Sequence, residues 1–224
     1  MFKILLQGFV DTSLPKEVTE VSFWNLLTKG GWIMIPLAIL SVVAVGLFIE
    51  RYLAIKGAQK MSVDFMDKVK ENVLSGNVAV AKEICQAESS PIARMIEKGV
   101  SRIGHPLKDI EVAIENAGKI EINRLENNLS TLATISGAAP MIGFLGTVLG
   151  MIQSFMVMAQ QKSVDIGTMA GGIYEAMVTT AGGLIVGLIA YMAYNYLSSL
   201  LQKIIYNMEF TSVDFIDLLQ EPSK

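Results

Sequence analysis

The chain has 224 residues, of which 52% are hydrophobic and only 17% are charged, and its formal net charge is −3. Its mean hydropathy is positive, which argues against a soluble domain and favours an integral membrane protein. The single cysteine, Cys85, excludes an intramolecular disulfide and a cysteine-ligated metal cluster. We expect no cofactor, no metal site and no nucleic-acid partner.

The first 50 residues predict a surface segment followed by a membrane span. Residues 1–29 mix polar and apolar side chains, and Trp24 and Trp32 near the end of this stretch are typical of a membrane–water interface. Gly30 to Ile49 are free of charge, and about 20 helical residues are needed to cross a bilayer. We therefore predict a periplasmic or interfacial segment at 1–29 and a first span at 30–50.

Residues 51–127 are more polar and predict a helical cytoplasmic domain. Gly76 marks the end of one predicted helix. Ser90 and Pro91 provide an N-cap followed by proline at the first position of the next helix, which is predicted to end at Gly99 or Gly104. From Ile110 to Leu132 a heptad-like pattern of Ile, Ala and Leu has no helix breaker. We therefore expect the second span to be the upper part of one helix of well over 40 residues.

Two further spans are predicted at 128–159 and 168–198, joined by a short periplasmic loop at 160–167 and followed by a cytoplasmic helix at 199–224. The short loop makes the two spans antiparallel neighbours. Fourteen of the 18 Lys and Arg residues lie between Arg51 and Arg124 or after the last span. This bias predicts that the long loop and the C-terminus lie in the cytoplasm and the N-terminus on the other side of the membrane. The fold class is thus an all-α integral membrane protein with three transmembrane helices, the second and third extending into the cytoplasm, and a helical cytoplasmic domain.

Small and hydroxyl-bearing residues form a stripe on each of the last two spans. Such stripes allow membrane helices to approach closely, so packing explains the glycines, whereas packing and pore lining are both open for the threonines. On the second span the residues are Gly143, Gly146, Thr147 and Gly150, and on the third they are Gly171, Gly172, Thr179, Thr180, Gly182 and Gly183.

Glu175 is the only charged side chain between Ile166 and Gln202. A charged group deep in a bilayer costs about 2.5–3.5 kcal/mol on insertion scales and commonly marks an ion pathway. No Lys, Arg or His lies in any predicted span, which excludes an ion pair among the spans of one chain. Three interpretations remain: a carboxylate that takes up and releases a proton, a neutral hydrogen-bonded packing group, or a counter-charge to a partner subunit.

The stretch from Leu125 to Phe155, with its GFLGTVLG segment, and the stretch from Gly171 to Leu197, which begins GGIYEAMVTTAGG, resemble the ExbB/TolQ family of inner-membrane motor subunits. This family is distantly related to the flagellar stator protein MotA. The resemblance implies a homopentameric ring in membrane lipid, with a central pore enclosing single-span partners of ExbD/TolR type. It also implies a TonB-like partner protein and a location in the bacterial inner membrane, with the N-terminus in the periplasm and the C-terminus in the cytoplasm.

The resemblance also assigns roles to individual residues. An Asp of the single-span partner is implied as the main proton carrier. Thr147, Glu175 and Thr180 match the polar positions of the family, and Thr179 is a further candidate for the pore lining. Pro140 fits the setting of the GxxGTVxG segment together with Gly143, Gly146 and Gly150. One departure is Ile189, because family members often have a proline late in the third span.

The function expected from these features is a non-enzymatic proton-channel or motor subunit that couples the proton motive force to TonB-dependent transport across the outer membrane. A TolQ-like role in the Tol-Pal envelope system is the alternative within the family. A flagellar stator is less favoured, because that branch has four spans. From another class, a non-conducting membrane scaffold is the competing hypothesis.

Overall fold

The computed structural model describes residues 30–60, 62, 64–160 and 166–220. The predicted segment 1–29, and all of the predicted loop except its two ends, lie outside the described residues. Within them the chain forms helices and no strands. The seven helices are α1 Met34–Ala58, α2 Phe65–Leu74, α3 Val78–Ala87, α4 Pro91–Val100, α5 Leu107–Glu126, α6 Leu129–Gln160 and α7 Ile166–Gln220.

Three stretches are long and apolar enough to cross a membrane: Met34–Ala58, Leu107–Gln160 and Met169–Gln220. This confirms the predicted all-α, multi-pass membrane protein. Helix α7 has 55 residues, which at about 1.5 Å per residue gives about 80 Å. Since the hydrocarbon layer is only about 30 Å thick, α7 must extend well beyond it.

The expectation of one unbroken helix from Ile110 into the second span is wrong, because α5 ends at Glu126 and α6 begins at Leu129. Between them Asn128 has a φ of 63°, a left-handed conformation that asparagine tolerates better than most residues. The guanidinium of Arg51 on α1 donates a hydrogen bond to the Arg124 carbonyl in the last turn of α5, at 3.3 Å. The break is therefore stabilised by a contact between helices that are distant in sequence.

The Glu50–Arg51 pair at the same place forms a salt bridge of 2.5 Å. Asn128 donates a further hydrogen bond from Nδ2 to Glu50 at 3.4 Å. The Arg51 guanidinium is buried, so its charge needs the Glu50 carboxylate and the Arg124 carbonyl as partners. The pair thus has a structural role, fixing α1 against the turn between α5 and α6.

The described residues divide into two compact units. One comprises residues 30–37, 142–160 and 166–183, and the other comprises 38–60, 62, 64–141 and 184–220. In the second unit α4 lies at the centre of the core, and its residues Ile96 and Val100 are fully buried. A side chain at Gly99 would lie 2.6 Å from Ile114 of α5 and 3.0 Å from Phe215 of α7. The glycine therefore lets three helices meet at one level.

The sequence signals for the start of α4 are confirmed. The Ser90 hydroxyl accepts a hydrogen bond from the Ala93 amide at 3.1 Å, and Pro91 occupies the start of the helix. Gly104 follows the helix with a φ of 98°, where a side chain would be strained. Ser90 and Pro91 therefore fix the start of α4, whereas the helix ends at Val100, between the two predicted ends Gly99 and Gly104.

Pro140 lies within α6 and contacts α7 at Gly187. Proline has no amide hydrogen to donate to the carbonyl four residues earlier, which here belongs to Ser136. A Cβ at Gly187 would lie 2.5 Å from Pro140 Cγ and 2.9 Å from the Ser136 oxygen. A glycine is thus required where the proline ring and the Ser136 carbonyl meet α7.

We predict that Gly187→Ala destabilises the protein by about 1–3 kcal/mol, because the added methyl group overlaps the rigid proline ring. Gly137→Ala is the matched control, since a Cβ at Gly137 has nothing within 4 Å and alanine favours the helix by about 1 kcal/mol. Thermal unfolding of the detergent-purified protein measures both variants. Equal melting temperatures for the two variants would contradict the close contact at Gly187.

Candidate functional site

The candidate site is built on the contact between α6 and the first part of α7, within the first unit. A Cβ at Gly143 would lie 2.9 Å from the Thr179 carbonyl oxygen, and one at Gly150 would lie 2.8 Å from the Ala176 methyl group. Neither position can hold a larger side chain at this separation. The two backbones therefore approach closely because glycine occupies α6 at these turns.

The other predicted small residues have different surroundings. A Cβ at Gly146 would overlap the Thr179 hydroxyl, and one at Gly172 would overlap the Ser154 hydroxyl. Gly183 is buried against Gly143, whereas a Cβ at Gly182 would lie 3.2 Å from the Cε atom of Met34 on α1. Gly171 faces open space. The small residues of the third span thus serve different contacts, although they form one pattern in the sequence.

The three candidate threonines differ in the carbonyl groups to which their hydroxyls donate hydrogen bonds. Thr180 donates a hydrogen bond from its hydroxyl to the Gly143 carbonyl at 2.9 Å, which links α7 to α6. Thr179 is buried, and its hydroxyl donates to the Ala176 carbonyl of its own helix at 2.7 Å and, at a longer 3.5 Å, to the Gly143 carbonyl of α6. Thr147 is partly exposed and donates to the Phe144 carbonyl at 2.7 Å. Only Thr180 therefore holds its neighbouring helix through a short side-chain hydrogen bond.

Glu175 borders a cavity of about 360 Å³ inside the first unit. The cavity lies between α6, α7 and the Gly30–Ile33 segment, and its polar side chains are Gln153, Ser154, Glu175 and Thr179. Thr147 and Thr180 do not line it. The structure therefore brings two of the four predicted pathway residues, Glu175 and Thr179, to one cavity and leaves the other two outside it.

Gly31 is a site residue that the sequence pattern does not reveal. Its φ is 64°, and a Cβ there would overlap the Glu175 carboxylate. The pair Gly30-Gly31 directly before Trp32 is a local turn signal, but nothing in the sequence indicates that this turn contacts Glu175. The contact depends on how the first unit packs.

In the part of the chain that the structure describes, no group of three or more His, Cys, Asp or Glu side chains is placed to hold a metal ion. The lone cysteine, Cys85, is buried in the core of the second unit. Burial, with a smaller contribution from Glu97, raises the pKa of the Cys85 thiol to about 11. The thiol is therefore protonated and weakly reactive near neutral pH.

These features define a multi-pass α-helical membrane protein that keeps a carboxylate and hydroxyl groups on two closely packed spans. The family model of the MotA/TolQ/ExbB proton channel family matches residues 87–210, which is more than half of the chain. The chain belongs to this family.

The curated relatives carry the names of two branches. The Tol-Pal system protein TolQ of Pseudomonas aeruginosa is 30% identical over 206 residues, covering 83% of this chain and 87% of the relative. The biopolymer transport protein ExbB of Neisseria meningitidis is 27% identical over 180 residues, covering 74% of this chain and 80% of the relative. TolQ of Haemophilus influenzae is 44% identical over a shorter stretch of 78 residues, covering 35% of this chain and 34% of the relative.

We predict that Thr180→Val lowers the stability by about 1 kcal/mol, because it removes the short hydrogen bond from Thr180 on α7 to the Gly143 carbonyl on α6. Thr147→Val is the matched control and should have a smaller effect, since the Thr147 hydroxyl bonds only to its own helix. Thermal unfolding in detergent provides the measurement. A larger loss for Thr147→Val than for Thr180→Val would show that the assignment of the interhelical bond is wrong.

Proposed function

We propose that this chain is the proton-channel and motor subunit of an inner-membrane complex that couples the proton motive force to TonB-dependent transport across the outer membrane. The observation that carries the proposal is the position of Glu175. Its exposed carboxylate lies on a membrane-spanning helix and borders a cavity that also has three polar side chains. Membership of a proton channel family supports the same assignment.

The mechanism that we infer uses three residues of this chain. Glu175 can take up and release a proton, whereas Thr147 and Thr180 supply oxygen atoms that accept hydrogen bonds. Both hydroxyls already donate to carbonyl groups, at 2.7 Å and 2.9 Å, so their orientation is fixed and their lone pairs remain available. These oxygen atoms lower the cost of a proton on the two spans, with Glu175 at the cavity and the two hydroxyls outside it.

The assembly that we propose is a homopentamer in the bacterial inner membrane, with the N-terminus in the periplasm and the C-terminus in the cytoplasm. A single-span partner of ExbD/TolR type occupies the ring, and its Asp is the main proton carrier. Each proton that crosses the membrane yields about 2.3 kcal/mol per 100 mV. The work comes from this gradient, and the chain has no enzymatic activity of its own.

A TolQ-like role in the Tol-Pal system is the second candidate, because the TolQ protein of Pseudomonas aeruginosa matches this chain over 83% of its length. Complementation separates the two branches. Expression in bacteria that lack ExbB or TolQ should restore TonB-dependent uptake under the first proposal, and envelope integrity under the second.

A non-conducting scaffold is the candidate from another class, favoured by the close α6–α7 contact, which needs no ion pathway to explain it. Under this hypothesis Glu175 is a packing group. The two hypotheses therefore differ in whether proton movement depends on the carboxylate.

We predict that Glu175→Gln lowers proton flux by about tenfold or more, because the amide cannot take up a proton. Glu209→Gln is the matched control, since Glu209 is an exposed carboxylate farther along α7. Flux is measured with a pH-sensitive dye in vesicles containing the chain and its single-span partner. Assembly of both variants is checked by size-exclusion chromatography. Unchanged flux in assembled Glu175→Gln would contradict the proposed role of Glu175, and an absence of flux in the unaltered complex would favour the non-conducting scaffold.

A further inference from the structure

The cavity beside Glu175 is formed by a single chain. Its walls come from α6, α7 and the Gly30–Ile33 segment, all in the first unit. At about 360 Å³ the cavity exceeds by several fold the volume of about 30 Å³ that a water molecule occupies in the liquid. It therefore has room for several water molecules next to the carboxylate.

The lining of the cavity is suited to water. Apolar cavities in proteins stay dry, whereas a buried water typically makes about three hydrogen bonds to polar groups. Gln153 and Ser154 provide an amide and a hydroxyl from α6, and Thr179 and Glu175 provide oxygen atoms from α7. These groups face one volume from two helices, so a water molecule in it has several partners.

Gly31 brings the carboxylate to the edge of this volume. With no side chain at Gly31, the Glu175 carboxylate lies directly against the backbone of the turn before α1. The turn is closed by a hydrogen bond from the Met34 amide to the Gly31 carbonyl at 3.2 Å. The position of Glu175 is therefore defined by its own chain.

We propose that Glu175 exchanges its proton with water in this cavity, so that the carboxylate is reached through its own subunit, past Gln153 and Ser154. A carboxylate oxygen takes a proton from hydronium and leaves a water molecule, and the reverse step returns the proton to water. The inference rests on the proposed function, in which Glu175 carries a proton. It adds the route by which the proton arrives.

The first test measures whether water reaches the cavity. Gln153→Cys is compared with Ile152→Cys in a Cys85→Ser background, using a charged, water-soluble thiol reagent on the assembled complex in vesicles. Ile152 is half exposed and lies at nearly the same depth, but it does not line the cavity. Because only the thiolate reacts and thiolates require water, Gln153→Cys should react about tenfold faster or more. Equal rates would overturn the proposal.

The second test measures whether Glu175 is reached from water through the cavity. Gln153→Met removes the amide while keeping a side chain of similar length, and Ile152→Met is its control. We expect Gln153→Met to slow both proton flux and the labelling of Glu175 by a water-soluble carbodiimide, with little change for Ile152→Met. Unchanged labelling of Glu175 in Gln153→Met would overturn the proposal.

The two proposals fail in different ways. If assembled Glu175→Gln retains full proton flux, the proposed function itself is wrong. If Glu175→Gln loses flux while Gln153→Cys reacts no faster than Ile152→Cys, the proposed function stands and only the route through the subunit is wrong.

Discussion

The structure of the first unit depends on the close approach of α6 and α7. Lipid tails are as apolar as leucine, so burial of apolar surface does not drive two helices together in a bilayer, and close packing and hydrogen bonds must do so. Gly143 and Gly150 permit the approach, and Thr180 then reaches the Gly143 carbonyl. A larger residue at either glycine would separate the helices and lengthen this hydrogen bond.

The same glycines explain why a cavity exists beside Glu175. Gly146, Gly150 and Gly172 all border it, and Gly31 lies against the carboxylate. Because glycine has no side chain, the backbones of the two helices come together at some levels of the contact, and space remains at others. A stripe of small residues therefore produces both a tight contact and a polar volume, and the packing and pathway hypotheses for these residues are compatible.

Features that depend on local composition are predictable from the sequence. The three spans follow from apolar length, and the start of α4 follows from Ser90 and Pro91. The break at Asn128 is not predictable in this way, because the stabilising Arg51 contact comes from a helix more than 70 residues away. The contact of Gly31 with Glu175 escapes prediction for the same reason, since it depends on tertiary packing.

Four polar residues are predicted from the sequence to line the pathway: Thr147, Glu175, Thr179 and Thr180. Their hydrogen bonds show that they differ in whether they can hold a proton. A hydroxyl has one hydrogen to donate, and Thr147, Thr179 and Thr180 each direct theirs to a backbone carbonyl. In this state they can only accept hydrogen bonds, which stabilises water molecules and protonated species but does not pass a proton onward. Among the four, Glu175 alone can hold a proton by itself. Proton movement along this set must therefore pass through Glu175 or require a threonine to break its bond to the backbone.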